Sequence, residues 1–101
     1  MNISIASDVV ASAQTGEAEV RIENIPANSV DQKVTLARVD TGDVLYESDA
    51  IAPGNHVQTV HLEESLQPGT YDVLATFVGY DQETHEPVGT SAAEITLTVE
   101  A

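Results

Sequence analysis

Apolar and polar residues alternate along most of this chain with a period of two. Ile3 and Ile5 take turns with polar neighbours, as do Ala18, Val20 and Ile22 in GEAEVRIEN. The same alternation runs through Val34 and Leu36, through Val60 and Leu62, through Tyr71, Val73, Ala75 and Phe77, and through Ile95, Leu97 and Val99. Successive side chains of a strand point to opposite faces, so each run reads as a strand with one apolar and one wet face, the pattern of an antiparallel sheet. The predicted strands are 2–6, 17–24, 32–39, 43–48, 56–63, 70–80 and 92–100. Turn chemistry separates them. Pro26-Ala27-Asn28-Ser29 follows the second run, and Pro53-Gly54-Asn55 and Pro68-Gly69-Thr70 make two further breaks. Asp40-Thr41-Gly42-Asp43 reads as a hairpin in which Gly42 supplies a positive φ. Asp81 to Thr90 reads as a longer polar loop. The pattern says least over 1–16, where Val9-Val10-Ala11 extends the first strand and Ser12 to Gly16 turns.

Seven short strands at this spacing predict an all-β, antiparallel β-sandwich of about seven strands in a single domain, 1–101. The segment SLQPGTYDV sharpens that expectation. Leu66, then Pro68-Gly69, then Tyr71 at the head of a long alternating strand matches a tyrosine corner, in which the phenol hydroxyl bonds to backbone a few residues upstream. Such a sandwich is of the immunoglobulin or fibronectin type III kind, here without a cysteine pair and without a core tryptophan, because the chain has neither residue.

From Asp40 onward the residues DTGDVLYESDAIAPG, VHLEESLQPGTYDVLATFVGYD and AEITLTV resemble the small immunoglobulin-like β-sandwich modules of bacterial surface and secreted proteins, those of Gram-positive species above all. The likeness spans about 60 residues, and the first third of the chain shares only the strand pattern. It implies an extracellular, cell-surface setting and a non-catalytic role as spacer, stalk or adhesion unit, with a protein or neighbouring domains as partner. A likeness of fold assigns no ligand. Some surface modules of this kind carry an internal Lys–Asn cross-link between first and last strands. Here the only lysine, Lys33, falls on a middle strand and the last strand has no Asn, so Lys33 reads as an exposed strand residue.

Candidate chemistry is sparse. No cofactor is expected. The three histidines, His56, His61 and His85, show no H-x-x-x-H or H-E-x-x-H spacing and read as exposed. Asp81, Glu83 and Glu86 gather carboxylates in one loop and are the candidates for a Ca²⁺ site, although the spacing is not that of an EF-hand. Tyr46 and Tyr80 are the aromatic residues left for a glycan surface once Tyr71 and Phe77 are assigned to corner and core. Leu66, Gly69 and Tyr71 are read as structural. No G-x-S-x-G elbow occurs, and Glu63 and Glu64, adjacent on a strand, face opposite ways, so catalysis has no sequence support. A loop-mediated protease inhibitor is a further alternative that no residue selects.

Charge then narrows the partners. The chain carries 17 acidic and 3 basic side chains, Arg21, Lys33 and Arg38, for a net charge of −14. Such a surface repels phosphate backbones and anionic headgroups, which excludes nucleic acid and direct membrane insertion as expectations. No apolar run approaches about 18 residues. The start, MNISIASDVVASAQTGE, lacks a basic region followed by an apolar one, so a sorting signal is expected upstream of it. The acidic excess favours a soluble monomer and resembles a salt-adapted composition.

Like-charge repulsion on this scale is relieved by screening. Raising NaCl from low concentration to about 0.5 M is expected to increase the free energy of unfolding. Urea denaturation at a series of salt concentrations measures this, and a flat or falling midpoint contradicts it.

Overall fold

The computed structural model describes residues 2–101, and Met1, which the single-domain reading of 1–101 includes, lies outside the described residues. Seven strands form in chain order: β1 (Asp8–Ser12), β2 (Glu17–Glu23), β3 (Val30–Arg38), β4 (Val44–Glu47), β5 (His56–His61), β6 (Gly69–Asp81) and β7 (Pro87–Glu100). Among the described residues no helix forms. The strands join into one mixed, curled sheet in the order β4-β3-β6-β7-β1-β2-β5.

The longest ladders lie at its centre. β3 runs antiparallel to β6 from Val30 opposite Asp81 to Arg38 opposite Val73. β6 runs antiparallel to β7 from Gly69 opposite Val99 to Tyr80 opposite Pro87. Strand alternation turns one face of every strand inward onto a single apolar core. Phe77 and Ala75 are 0% exposed and Val73 1%, with Val20, Ile22, Val34, Leu45 and Ile95 packed around them. The curl brings the two ends of the strand order together: the Glu63 N–H, just after β5, donates to the Leu45 carbonyl of β4 at 2.8 Å.

The chain enters this sheet in two steps. The Glu23 N–H donates to Ser4 O at 3.1 Å and the Ala6 N–H to Val20 O at 3.1 Å, so residues 4–6 lie against β2. At Ser7 the chain changes partner, its carbonyl accepting from Thr96 N–H at 2.9 Å. β1 then runs parallel to β7, Asp8 opposite Thr96 through Ser12 opposite Glu100, and touches β2 again at Ala11 opposite Ala18.

Three expectations are corrected. The predicted strand 2–6 is reduced to a single bridge between Ser4 and Glu23. Ile3 and Ile5 do alternate and pack half-buried against the core, but the partner change at Ser7 cuts the ladder short. The pairing is not antiparallel throughout, because β1 and β7 are parallel. The loop predicted over 81–90 shrinks to 82–86, since β7 starts at Pro87 instead of residue 92. Residues 87–90 are exposed on both faces, so they pair by backbone alone and leave no alternation to read. Proline is tolerated as the first residue of a strand, where no ladder donor is needed.

Turns close as their residues dictate. The β3–β4 hairpin places Gly42 at φ 78°, with Gly42 N–H donating to Arg38 O at 2.8 Å and Arg38 N–H to Asp43 O at 2.9 Å. Ahead of β6, the Tyr71 hydroxyl donates to the Gln67 carbonyl at 2.6 Å, the bond expected from the L-x-P-G-x-Y signature. The Arg38 guanidinium lies over the other face of this corner, 4.9 Å from the Tyr71 ring centroid, and grips Asp40 with two bonds of 3.1 and 2.8 Å. Tyr71→Phe deletes the hydroxyl bond and keeps the ring. It is expected to lower stability by about 1 kcal/mol without changing the fold, measured by chemical denaturation. A loss indistinguishable from zero means the bond does not hold the β5–β6 connection.

Candidate functional site

The acidic loop between β6 and β7 is built around Asp81. Its Oδ1 accepts the backbone N–H groups of Glu83 at 2.8 Å and Thr84 at 2.9 Å. The main chain closes beneath it, Asp81 N–H donating to Glu86 O at 2.9 Å and His85 N–H to Asp81 O at 2.8 Å. His85 takes the left-handed conformation at φ 61°, which lets the chain turn into β7. The N–H groups of Thr84 and Glu83 stabilise the ionised Asp81 carboxyl and hold its pKa below the ordinary 3.8. The carboxylate thus fastens its own turn. Glu83 and Glu86 extend into solvent, and among the described residues no three His, Asp or Glu side chains are gathered as a metal would require.

The two tyrosines proposed for a glycan surface are kept apart. Tyr46 sits opposite Leu36 and packs against the core; burial, aided by the charge of Asp49, raises its hydroxyl pKa. Tyr80 sits opposite Asp31, with Lys33 Nζ 5.2 Å from its ring centroid. Leu36 faces inward and Lys33 outward, so the two rings lie on opposite faces of the sheet. Their partners on β3 are five residues apart, roughly 17 Å along the strand. They form no common platform. Leu66 is half-buried against the core and Gly69 opens β6. Lys33, His56, His61 and His85 are exposed, as expected.

A cleft of about 430 Å³ lies between the β1–β2 turn and the segment that follows β5. Its rim carries Ser12, Thr15, His61, Glu63 and Glu64, and Leu62 and Val99 lie at its floor. Gly16 shapes it: at φ 76° it adopts a backbone that side chains avoid, and a Cβ there would meet the His61 ring at 3.2 Å. The lining pairs no acid with a base and no nucleophile with an activating neighbour.

One cluster escaped the sequence reading. Asn24, Asn28 and Gln32 are buried beside the apolar core. Asn24 Nδ2 donates to the carbonyls of Val30 at 2.9 Å and Ile51 at 2.7 Å. Asn28 Nδ2 donates to Asn24 Oδ1 at 2.9 Å and to Asn2 O at 2.8 Å, and its Oδ1 accepts the Asn2 N–H at 3.0 Å. Gln32 Nε2 reaches the same Asn2 carbonyl at 2.9 Å. Four separate stretches of chain are tied there: the entry at Asn2, the β2–β3 loop, β3 and the β4–β5 connection. A signal for it existed. Asn24 continues the inward parity of Ala18, Val20 and Ile22, and Gln32 precedes Val34 and Leu36 on theirs.

Comparison with protein-family models, with curated proteins and with solved structures yields no match to this chain.

The lowered pKa of Asp81 sets the sign of a pH effect. A carboxyl whose folded pKa is depressed adds stability above its unfolded pKa, and that contribution disappears as pH falls through the folded value. Asp81→Asn keeps an oxygen for the two N–H groups but cannot ionise. The wild type is expected to be the more stable at about pH 7, with the gap closing toward about pH 2.5. Urea midpoints at the two pH values measure it, and a gap independent of pH contradicts the assignment. The ion pair of Arg38 and Asp40, which also lowers the Asp40 pKa, is common to both proteins and cancels.

Proposed function

We propose that the chain is an immunoglobulin-like β-sandwich module that serves as a non-catalytic structural or protein-interaction unit of a bacterial surface or secreted protein. The strand order supports the sandwich reading, in which β4-β3-β6-β7 would make one layer and β2-β5 the other, with the β1 segment bonded to both β7 and β2. The Tyr71 hydroxyl bond at the β5–β6 connection supports it as well. The observation that carries the function is where the chain enters and leaves. Asn2 is held by Asn28 and Gln32 at the end where β3 starts and the 82–86 turn lies. Glu100 pairs with Ser12 at the other end. The body is 43 Å long and only 23 by 19 Å across. A unit crossed from end to end transmits tension along its length, as a stalk or spacer requires.

The strands nearest the two ends of the chain, β1 and β7, are neighbours and parallel. Pulling Asn2 and Ala101 apart therefore loads all their hydrogen bonds together, in shear, instead of opening them one at a time. Cooperative rupture of a parallel ladder resists force far better than sequential peeling. An extracellular, monomeric spacer of net charge −14 also repels its like and stays unassociated between partners.

Single-molecule force spectroscopy on tandem copies tests this reading. Ala13 N–H donates to Glu100 O, so by alternation the Val9 N–H also aims at β7. Val9→Pro deletes that donor. Arrays pulled through their termini are expected to unfold at high force in single steps, and Val9→Pro arrays at clearly lower force. Wild-type arrays that open at forces no greater than a module pulled across its ladder contradict a tension-bearing role.

A further inference from the structure

β7 has a second edge that the sheet leaves open over part of its length. β1 pairs with it only from Thr96 to Glu100, and ahead of Asp8 the chain turns away to β2, where the Ala6 N–H donates to Val20 O. Among the described residues, none pairs with β7 on that side before Thr96. Alternation tells which backbone groups face the opening. The Thr96 N–H points there, donating to Ser7 O, while Asp72, opposite Thr96 on β6, turns its carbonyl the other way to the Val39 N–H. The register with β6 is unbroken from Gly89 to Val99, so the N–H and C=O groups of Thr90, Ala92 and Glu94 point to the same side as those of Thr96. All three residues are exposed. The stretch from Thr90 to Glu94 offers its donors and acceptors along roughly 17 Å of extended backbone.

An open edge invites another chain, and proteins commonly blunt one with a proline, a bulge or a charge. On β7 these devices stand only at the limits of the opening. Pro87 and Val88 close one end, Val88 being the extra residue where Gly79 pairs with Gly89 but Tyr80 with Pro87. Glu94 marks the other end. Between them Gly89 to Ala93 carry no charge at all, in a chain of net charge −14.

We propose that the edge of β7 from Thr90 to Glu94 docks an extended, basic segment of a partner protein, which joins the sheet as a further strand. Charge selects this occupant. The line of the added strand is bounded by exposed carboxylates: Asp8 and Glu94 at one end, and at the other the 82–86 turn with Glu83 and Glu86. The cation on this face of the sheet, Lys33, stands two strands in from the edge and lies over Tyr80. A second copy of the chain would set −14 against −14, whereas a strand with Lys or Arg at its ends meets opposite charge. Backbone bonds supply the affinity, and the flanking carboxylates choose the partner. The site gives a place and a partner chemistry to the protein-interaction reading, on which it rests. It is independent of the tension-bearing role, since tandem arrays resist force or fail to whether or not the edge is occupied.

The test is a titration of the isotope-labelled protein with the acetylated, amidated peptide Lys-Val-Thr-Val-Thr-Val-Lys, read by amide hydrogen exchange. Exchange is expected to slow at Thr90, Ala92 and Glu94. The same peptide with every Val and Thr N-methylated keeps its charge but cannot pair, and is expected to bind at least about tenfold more weakly. Ala92→Pro deletes a donor that serves no bond to β6, so the sheet is expected to persist while the unmethylated peptide binds about tenfold more weakly. No slowing at these amides up to about 1 mM peptide overturns the proposal. Equal binding of the methylated peptide also overturns it, reducing the attraction to charge alone, and that comparison on the wild type stands whether or not the proline variant folds. Slowing without peptide that grows with protein concentration overturns it in favour of a second copy.

Discussion

The structure depends on the double pairing of its first strand. Residues 4–6 bond to β2, and β1 then runs beside β7 while still meeting β2 at Ala11. Without that change of partner, the backbone would join β2 and β5 to β4, β3, β6 and β7 only through the connecting loops and the single bond from Glu63 to Leu45. The small residues Ala11 and Ala18 face each other across the β1–β2 contact, and both are buried, so no bulky side chain holds the two backbones apart there.

Packing and polarity divide the interior between them. Phe77, Ile22, Val34 and Leu45 fill the middle, where non-directional burial suffices. Toward the Asn2 end the core gives way to amides, whose hydrogen bonds are directional and therefore specify which backbone segments meet. Asn24 fixes the β4–β5 connection through Ile51, and Asn28 and Gln32 fix the chain entry through Asn2. A purely apolar filling of the same space would hold these segments together without dictating their register.

The surface offers few regular edges and few free cations. The strands at the two ends of the sheet order are poor templates for another chain. β4 is four residues long and its register with β3 shifts between Leu36 and Ala37. β5 pairs with a strand that bulges at Arg21, which stands at φ 51°. Irregular edges blunt pairing with a second sheet. Each of the three cations is spent locally: Arg21 stands 3.6 Å from Glu19, Arg38 holds Asp40, and Lys33 lies over Tyr80. The remaining carboxylates face water.

Alternation and a few turn residues by themselves determined that the chain is all-β, which residues of β2, β3, β6 and β7 face inward, and where Gly42 and Tyr71 make their turns. Those properties depend on near neighbours in sequence, through the pleat of a strand or the geometry of a few turn residues, and so each is written locally. Only the tertiary structure decided that β1 lies parallel to β7, that residues 87–90 pair although neither face is buried, and that Tyr46 and Tyr80 end on opposite faces. It also decided that Asp81 is occupied by its own turn and that Asn2, Asn24, Asn28 and Gln32 meet. Each of these is a choice of partner from a distant part of the chain, and a period of two records which way a side chain points without recording what it will find there.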